Sequence, residues 1–295
     1  MSPGLAEVLP AAGCREVDID EPLPPPYREW DLTTRRSALS LWPEDLAPLF
    51  GINVARYRVQ EPGEWSFSPE LATELIARKA VEELIAMEAW VSGETDRLIA
   101  AAPAEGTVVL DAVLDQDLFT LDYPEAHTYR RRAAYPVTLQ HVAVGRAAAE
   151  LTRRDRDVEV FRGDRHFDLT AGRLAIGLGK KETAHLLGLN VKTFQTSERG
   201  TKPPSGATLD ELQSIDDFIT AAAGSLQISG EGSVSIIRIL DDQAQFETAY
   251  PKACARRSGT PYPVRVLRVA AVRRAHALEQ VGQSVRFATA AESTT

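Results

Sequence analysis

The sequence predicts an α+β fold, mostly α, in which one plan is built twice. Two tandem copies of a small all-α domain, each followed by a small βααβ unit, are expected to form an intrachain pseudo-dimer. Three observations predict this. Residues 30–63 align with residues 167–200 without a gap, and thirteen of the 34 positions are identical. A second block repeats downstream: Tyr123-Pro124 returns as Tyr250-Pro251, and Tyr135-Pro136-Val137 as Tyr262-Pro263-Val264. Asp115, Phe119 and Arg146 likewise return as Asp242, Phe246 and Arg273. The offset falls from 137 to 127 between the blocks, so the first copy holds ten extra residues there. Two blocks repeated in the same order point to tandem duplication of a two-part unit.

A length of 295 residues suits two or so domains of about 150 residues each. Hydrophobic content of 44% and charged content of 25% are ordinary for a globular chain. No apolar run approaches the roughly 18 residues of a membrane span, so no membrane role is expected. Cys14 and Cys254 are too few for a disulfide framework, and free thiols in a cytoplasmic protein are expected. The run ending at Cys14 has neither the basic start nor the long apolar region of a cleaved leader.

Net charge is −9, but it is unevenly spread. Residues 1–163 carry 17 basic and 28 acidic side chains; residues 164–295 carry 16 and 14. Within residues 165–202 the count is seven basic to three acidic. A local basic face on an acidic chain suits DNA, because the phosphate field acts over a Debye length of about 8 Å.

Residues 1–29 read as an acidic, Pro-rich leader, extended or irregular because proline lacks a donor and fixes φ. A docking arm for a partner is the alternative. Residues 30–103 hold the first all-α domain. Its long helix is expected from Pro69 to Glu94, with apolar residues at Leu71, Leu75, Ile76, Val81, Leu84 and Ile85. Residues 104–163 form the first βααβ unit, with short β-branched strands at 108–110 and 158–161. Its second helix carries Val142, Ala143, Ala147 and Leu151. Residues 164–229 repeat the all-α domain, with a helix from Thr208 to about Ala223. Residues 230–290 repeat the βααβ unit, with strands at 234–239 and 284–287. Residues 291–295 are a tail. A two-stranded sheet is marginal alone, so the two sheets are expected to meet or each to be covered by helices.

The second all-α copy reads step by step. Thr170 is expected to cap a first helix that turns Leu174, Ala175 and Leu178 inward. Lys180-Lys181-Glu182 opens a second helix, with Glu182 in the first turn where the helix dipole favours an acid. Ala184, Leu186 and Leu187 face its core. Gly188 supplies a turn residue that accepts positive φ. Asn190 caps a third helix with Phe194 inward, Gly200 ends it, and Pro203-Pro204 prevents continuation. This is a helix-turn-helix.

The pattern Arg173, Lys180, Glu182, Ala184, Gly188, Asn190, Phe194, Glu198, Gly200 resembles the lambda-repressor and Cro-like (XRE) helix-turn-helix family. The likeness is strong over residues 167–203 and weaker over 30–63. It implies a DNA-binding transcriptional regulator of bacterial or phage type whose third helix enters the major groove. Carried over by position, Val191, Lys192 and Thr196 would face bases, with Thr193 beside them. Val191 would touch a thymine methyl and Lys192 a guanine. Asn190, Lys180, Lys181, Arg199 and Lys202 would reach phosphates. Arg173 and Glu198 would form an internal ion pair, as would Arg36 and Glu61 in the first copy.

The first copy departs from this pattern. Trp42 stands for Gly179, Pro62 for Arg199, and Pro48 falls late in the second helix, where it is expected to kink or shorten it. Residues 30–63 carry four bases against four acids. The third helix still offers Asn53, Val54, Ala55, Arg56, Arg58 and Val59, which leaves open whether this copy meets DNA. The arginines of the last helix, Arg265, Arg268, Arg273 and Arg274, read either as a second phosphate-facing surface or as a solvated face beside an acidic partner.

His127, His141, His166, His185 and His276 are scattered without metal spacing. No Gly-rich phosphate loop or nucleophile motif follows a strand. No enzyme, metal or cofactor is expected. The sequence therefore points to a sequence-specific regulator of double-stranded DNA, most simply a repressor. The alternative is a protein-interaction module, antitoxin-like or anti-defence, that keeps the helix-turn-helix as scaffold and meets its partner through the acidic first half. Self-association beyond the intrachain pairing stays open.

Overall fold

The computed structural model describes residues 29–58, 71–231 and 233–289. Cys14, Val59, Glu61, Pro62, Gly63, Pro69 and the 291–295 tail lie outside them, as does all of the 1–29 leader except Glu29. Among the described residues the fold is α+β and mostly helical, with twelve helices and two three-stranded sheets. The first half runs α1 (Glu29–Ala38), α2 (Pro43–Phe50), α3 (Val54–Arg58), α4 (Leu71–Ala101), β1 (Val108–Asp111), α5 (Gln116–Asp122), α6 (Thr138–Arg153) and β2 (Val158–Arg162). The second half runs β3 (Arg165–His166), α7 (Asp168–Ala175), α8 (Lys180–Leu186), α9 (Val191–Ser197), α10 (Gly206–Ser225), β4 (Ile228–Glu231), β5 (Val234–Ile239), α11 (Gln243–Ala249), α12 (Val266–Gln280) and β6 (Ser284–Thr289).

The sheets do not pair with each other. Their strand orders are β1-β2-β3 and β4-β5-β6. In each, the two strands of the βααβ unit run parallel, with Val108 opposite Val158 and Val234 opposite Ser284. Each gains an antiparallel third strand that the sequence does not announce. β3 is only two residues long, and β4 holds Ser229-Gly230, so neither shows a strand pattern. The boundary expected after residue 163 falls in the turn of the β2–β3 hairpin, where Gly163 takes φ 63°. Helices α6 and α7 cover one sheet, and α12 and α1 cover the other.

The same contacts recur in both halves. Trp90 of α4 lies edge-on to Phe119, Tyr123 and Tyr135 at 5.6, 5.4 and 6.5 Å. Phe218 of α10 lies edge-on to Phe246, Tyr250 and Tyr262 at 5.9, 5.4 and 5.6 Å. Such rings contribute about 0.5–1.5 kcal/mol per pair beyond their burial. Gln116 brackets the turn before α6 by donating to Tyr135 O and accepting from Val137 N; Gln243 does the same to Tyr262 O and Val264 N. Asp115 and Asp242 cap α5 and α11, accepting from Leu118 N and Gln245 N.

The halves are also exchanged. The first helix of each all-α segment docks on the βααβ unit of the other copy in sequence order: α7 on α6 and β2, and α1 on α12 and β6. Asp168 accepts from Val160 N at 2.7 Å, and Asp31 accepts from Phe287 N at 3.0 Å, 256 positions away. Ala38 of α1 enters the core around α12, while Leu174 of α7 enters the core around α4 and α6. The two contacts differ in closeness. A Cβ on Gly145 of α6 would collide with the Ala171 carbonyl, so the α6 and α7 backbones meet directly. α12 carries Val272 at the matching position, fully buried.

A buried ion pair ties each triple of helices. Arg146 of α6 reaches Glu88 of α4 at 2.6 Å and the Ala38 carbonyl of α1 at 3.3 Å. Arg273 of α12 pairs with Asp216 of α10 and reaches the Ala175 carbonyl of α7 at 3.4 Å. Asp216 also accepts from Arg153 of α6 at 2.7 Å, which joins the halves.

Two local expectations are corrected. Thr170 is not the cap of α7: the helix starts at Asp168 after Phe167, and the Thr170 hydroxyl instead faces Glu198 at 3.4 Å. Pro48 does not shorten α2, which runs eight residues against seven for α8. The carbonyl that Pro48 cannot pair with is that of Glu44, in the exposed first turn, where it is open to solvent.

Candidate nucleic-acid interface

The second head is assembled from α7, α8 and α9. Glu182 accepts from Gly179 N at 2.9 Å and so closes the start of α8. Ala184, Leu186 and Leu187 are buried beneath it. Gly188 takes φ 65°, which any other residue would adopt only with strain. The chain then reverses, and Asn190 Oδ1 accepts from Lys192 N at 2.9 Å to start α9. Phe194 is fully buried and anchors α9 to the core. Full burial of such a ring stabilises by roughly 1.5–3 kcal/mol. A Cβ on Gly200 would collide with the His166 carbonyl, and His166 N donates to Gly200 O at 3.1 Å. The end of the head is thereby fixed to β3.

Arg173 Nε donates to Glu198 Oε1 at 2.7 Å, and its Nη1 donates to Leu178 O at 2.9 Å. Both side chains are buried, so the pair holds α7 to the end of α9. Lys180 Nζ stands 3.2 Å from the second Glu198 oxygen while remaining half exposed.

The structure brings Lys180, Lys181, Asn190, Lys192, Thr193, Thr196, Arg199 and Lys202 to the solvent side of this head, all exposed. Val191 is half-buried against the core and offers less of its surface than the sequence suggests. The acids of the segment all have partners within the protein: Asp168 has Val160 N, the partly exposed Glu182 has Gly179 N and Arg265, and Glu198 has Arg173 and Lys180. The outward face is therefore basic.

The first head repeats the frame with different chemistry. Asp45 accepts from Trp42 N at 2.7 Å, and Asn53 Oδ1 accepts from Arg56 N at 2.7 Å. Tyr57 is fully buried where the second copy has Phe194. Arg36 Nη1 donates to Leu41 O at 2.7 Å; its expected partner Glu61 lies outside the described residues. Asn53, Ala55, Arg56 and Arg58 are exposed, and Val54 is half-buried. Arg58 pairs with Glu44, which reduces the positive charge on α3.

Arg265, Arg268 and Arg273, at the start of and along α12, are engaged within the fold, and Arg265 and Arg273 each lie beside an acid. Arg265 reaches Glu182 of α8 at 2.8 Å, Arg268 lies 5.4 Å over the Trp30 ring in a cation–π contact, and Arg273 is bound to Asp216. They tie α12 to its neighbours. Sequence reasoning matched Arg146 with Arg273 but missed their acids, since Glu88 and Asp216 lie 58 and 57 positions away and nothing local marks them as partners.

The loops between α5 and α6, and between α11 and α12, also reach the heads. A Cβ on Gly51, in the α2–α3 turn, would collide with the Arg131 guanidinium. In the second copy Ser258 Oγ donates to Leu186 O at 2.7 Å beside Gly188. Among the described residues, no three His, Cys, Asp or Glu side chains converge as a metal site, and no helix is long and apolar enough to cross a membrane. Cys254 is a half-buried free thiol. No family model, curated protein or solved structure matches the chain.

Proposed function

We propose that the chain is a sequence-specific DNA-binding transcriptional regulator, most simply a repressor, acting as an intrachain pseudo-dimer of two unequal helix-turn-helix heads. One observation carries the reading. The α8–turn–α9 unit shows the solvent a row of bases and hydroxyls, while every acid of the segment is held by a partner within the protein. The residue pattern resembling the Cro-like family supports it, with Lys192, Thr193 and Thr196 on the exposed side of α9 to meet base edges. Lys180, Lys181, Arg199 and Lys202 flank them for phosphates. Two heads with different reading helices call for an asymmetric or imperfectly palindromic site.

Selection from random duplex DNA with the purified chain tests this. A single enriched motif is expected, and Lys192→Ala should lower affinity for it by about tenfold, which is about 1.4 kcal/mol and near the low end of what a base contact contributes. No enrichment at low salt would sink the proposal.

A second surface favours a protein contact as well. Leu114, Leu118 and Leu121 are exposed on and before α5, at positions where the second copy has Asp241, Gln245 and Thr248. Grafting the polar set (Leu114→Asp, Leu118→Gln, Leu121→Thr) should leave DNA affinity unchanged and abolish any concentration-dependent self-association seen by light scattering. A wild-type chain that stays monomeric across concentrations removes self-association as the role of this face.

A further inference from the structure

We infer that the loop between α5 and α6, carrying Arg130, Arg131 and Arg132, is the phosphate-contacting element of the first head, so that this head also engages duplex DNA. The inference rests on the DNA-binding reading above. Residues 30–63 are electrically neutral by themselves, and Arg58 is further occupied by Glu44. The fold changes that balance. It brings three arginines from about eighty positions downstream to the α2–α3 turn, and the Arg131 guanidinium packs on Gly51, three residues before α3 begins at Val54. A duplex lying along α3 meets this loop.

All three arginines are exposed, and among the described residues none forms an ion pair. The loop that shows them is held in place at its base. Glu83 accepts from Tyr129 N at 2.9 Å, Thr128 N donates to Ala133 O at 2.8 Å, and Arg132 N donates to Thr128 O at 3.0 Å. The cations are thus presented on an ordered turn, which lowers the entropy cost of meeting phosphates. Arg132 takes φ 54°, a left-handed conformation, where the second copy has Gly259 at φ 68°. A long cationic residue kept at a position better suited to glycine is strain of the kind that accompanies function. Arginine is also the side chain that grips phosphate in two-point fashion. The second copy keeps the arrangement in lighter form, with exposed Arg257 matching Arg130 and Ser258 against the α8–α9 turn.

The test compares the full-length wild-type chain with R130Q/R132G on the duplex recovered by selection, titrated over a range of salt. This variant leaves Arg131 on Gly51 and places glycine where the second copy already has it, so the fold is preserved; a thermal melt no lower than the wild type's verifies this. Loss of two phosphate contacts should reduce the slope of log affinity against log salt by about two, equally for specific and unrelated duplexes. Footprinting should show protection shrinking to the half-site held by the second head. R130K with Arg132 intact should restore the wild-type slope. An unchanged slope and footprint in R130Q/R132G, with K180A/K192A still losing binding, overturns the inference and leaves the DNA reading standing. A wild-type chain that enriches no duplex ends both.

Discussion

The two halves share their interior and differ at their surface. Trp90 and Phe218 fill the same aromatic sockets, Gln116 and Gln243 bracket the same turns, and Arg146 and Arg273 reach the same helix-end carbonyls at Ala38 and Ala175. The exposed chemistry has diverged. The second head carries its bases on α8 and α9; the first has Trp42, Pro48 and an internally paired Arg58 there. A repeated interior preserves the relative placement of the heads, while the outer residues are free to specialise. The proposed reading of an asymmetric site calls for such an arrangement.

The comparison breaks most visibly at the buried ion pairs. Burial alone pushes the Glu88 carboxyl up, but the Arg146 guanidinium outweighs it and holds Glu88 below the usual carboxylate range. Asp216 is likewise pushed up by burial and brought down further by Arg273 and Arg153. Glu88 has one direct guanidinium partner and Asp216 has two. Arg146→Met should therefore cost about 3–5 kcal/mol, because it leaves a buried charge uncompensated. Arg273→Met should cost about half that, because Arg153 remains. Urea unfolding of both variants measures the difference, and equal losses would contradict it. The pH dependence carries a sign. In the wild type both carboxyls have depressed folded values, so their stabilisation is complete above about pH 4.5 and is lost as pH falls through those values. In Arg146→Met the burial that pushes Glu88 up is opposed only by the charges of His276 and Arg273, which do not bond it directly, so Glu88 rises and that variant should regain stability on mild acidification while the wild type does not.

What the sequence shows of all this follows from the range of each interaction. The Asn190 cap, the Gly188 turn and the buried Phe194 depend on neighbours within a few positions, and all are readable from spacing. The helices after Pro136 and Pro263 are readable for the same reason. The third strands are not, because two residues of β3 carry no period and their pairing is decided by β2. Nor is the exchange of first helices. Asp31 and Phe287 are 256 positions apart, and nothing local at either end signals the other. Charge counting over residues 30–63 likewise misses Arg131, which arrives at Gly51 from another segment. Thr170 illustrates a different failure: a good capping residue stands near the helix start, but Phe167 and Asp168 begin the helix three positions earlier on the edge of a sheet.

The smallest predicted effect separates stability from function within a single pair of turns. Three left-handed positions of the first copy, Ser40, Arg132 and Asp155, correspond to Gly177, Gly259 and Gly282 in the second. Ser40 has a compensation, since its hydroxyl donates to Leu174 O at 2.7 Å. Among the described residues the Arg132 side chain makes no such bond, and left-handed conformation costs a residue with a Cβ about 1–2 kcal/mol. Glycine removes that cost but brings more freedom to the unfolded chain, so Arg132→Gly should stabilise by about 0.5–1 kcal/mol net. Asp155→Gly should gain less, because a short polar side chain enters this region more readily. Paired thermal melts and DNA titrations then distinguish the two turns. Arg132→Gly is expected to melt higher and bind duplex more weakly; Asp155→Gly is expected to melt slightly higher and bind as the wild type does. If both variants bind equally well, the strain at Arg132 is drift in the first copy and not the cost of holding a cation at the DNA.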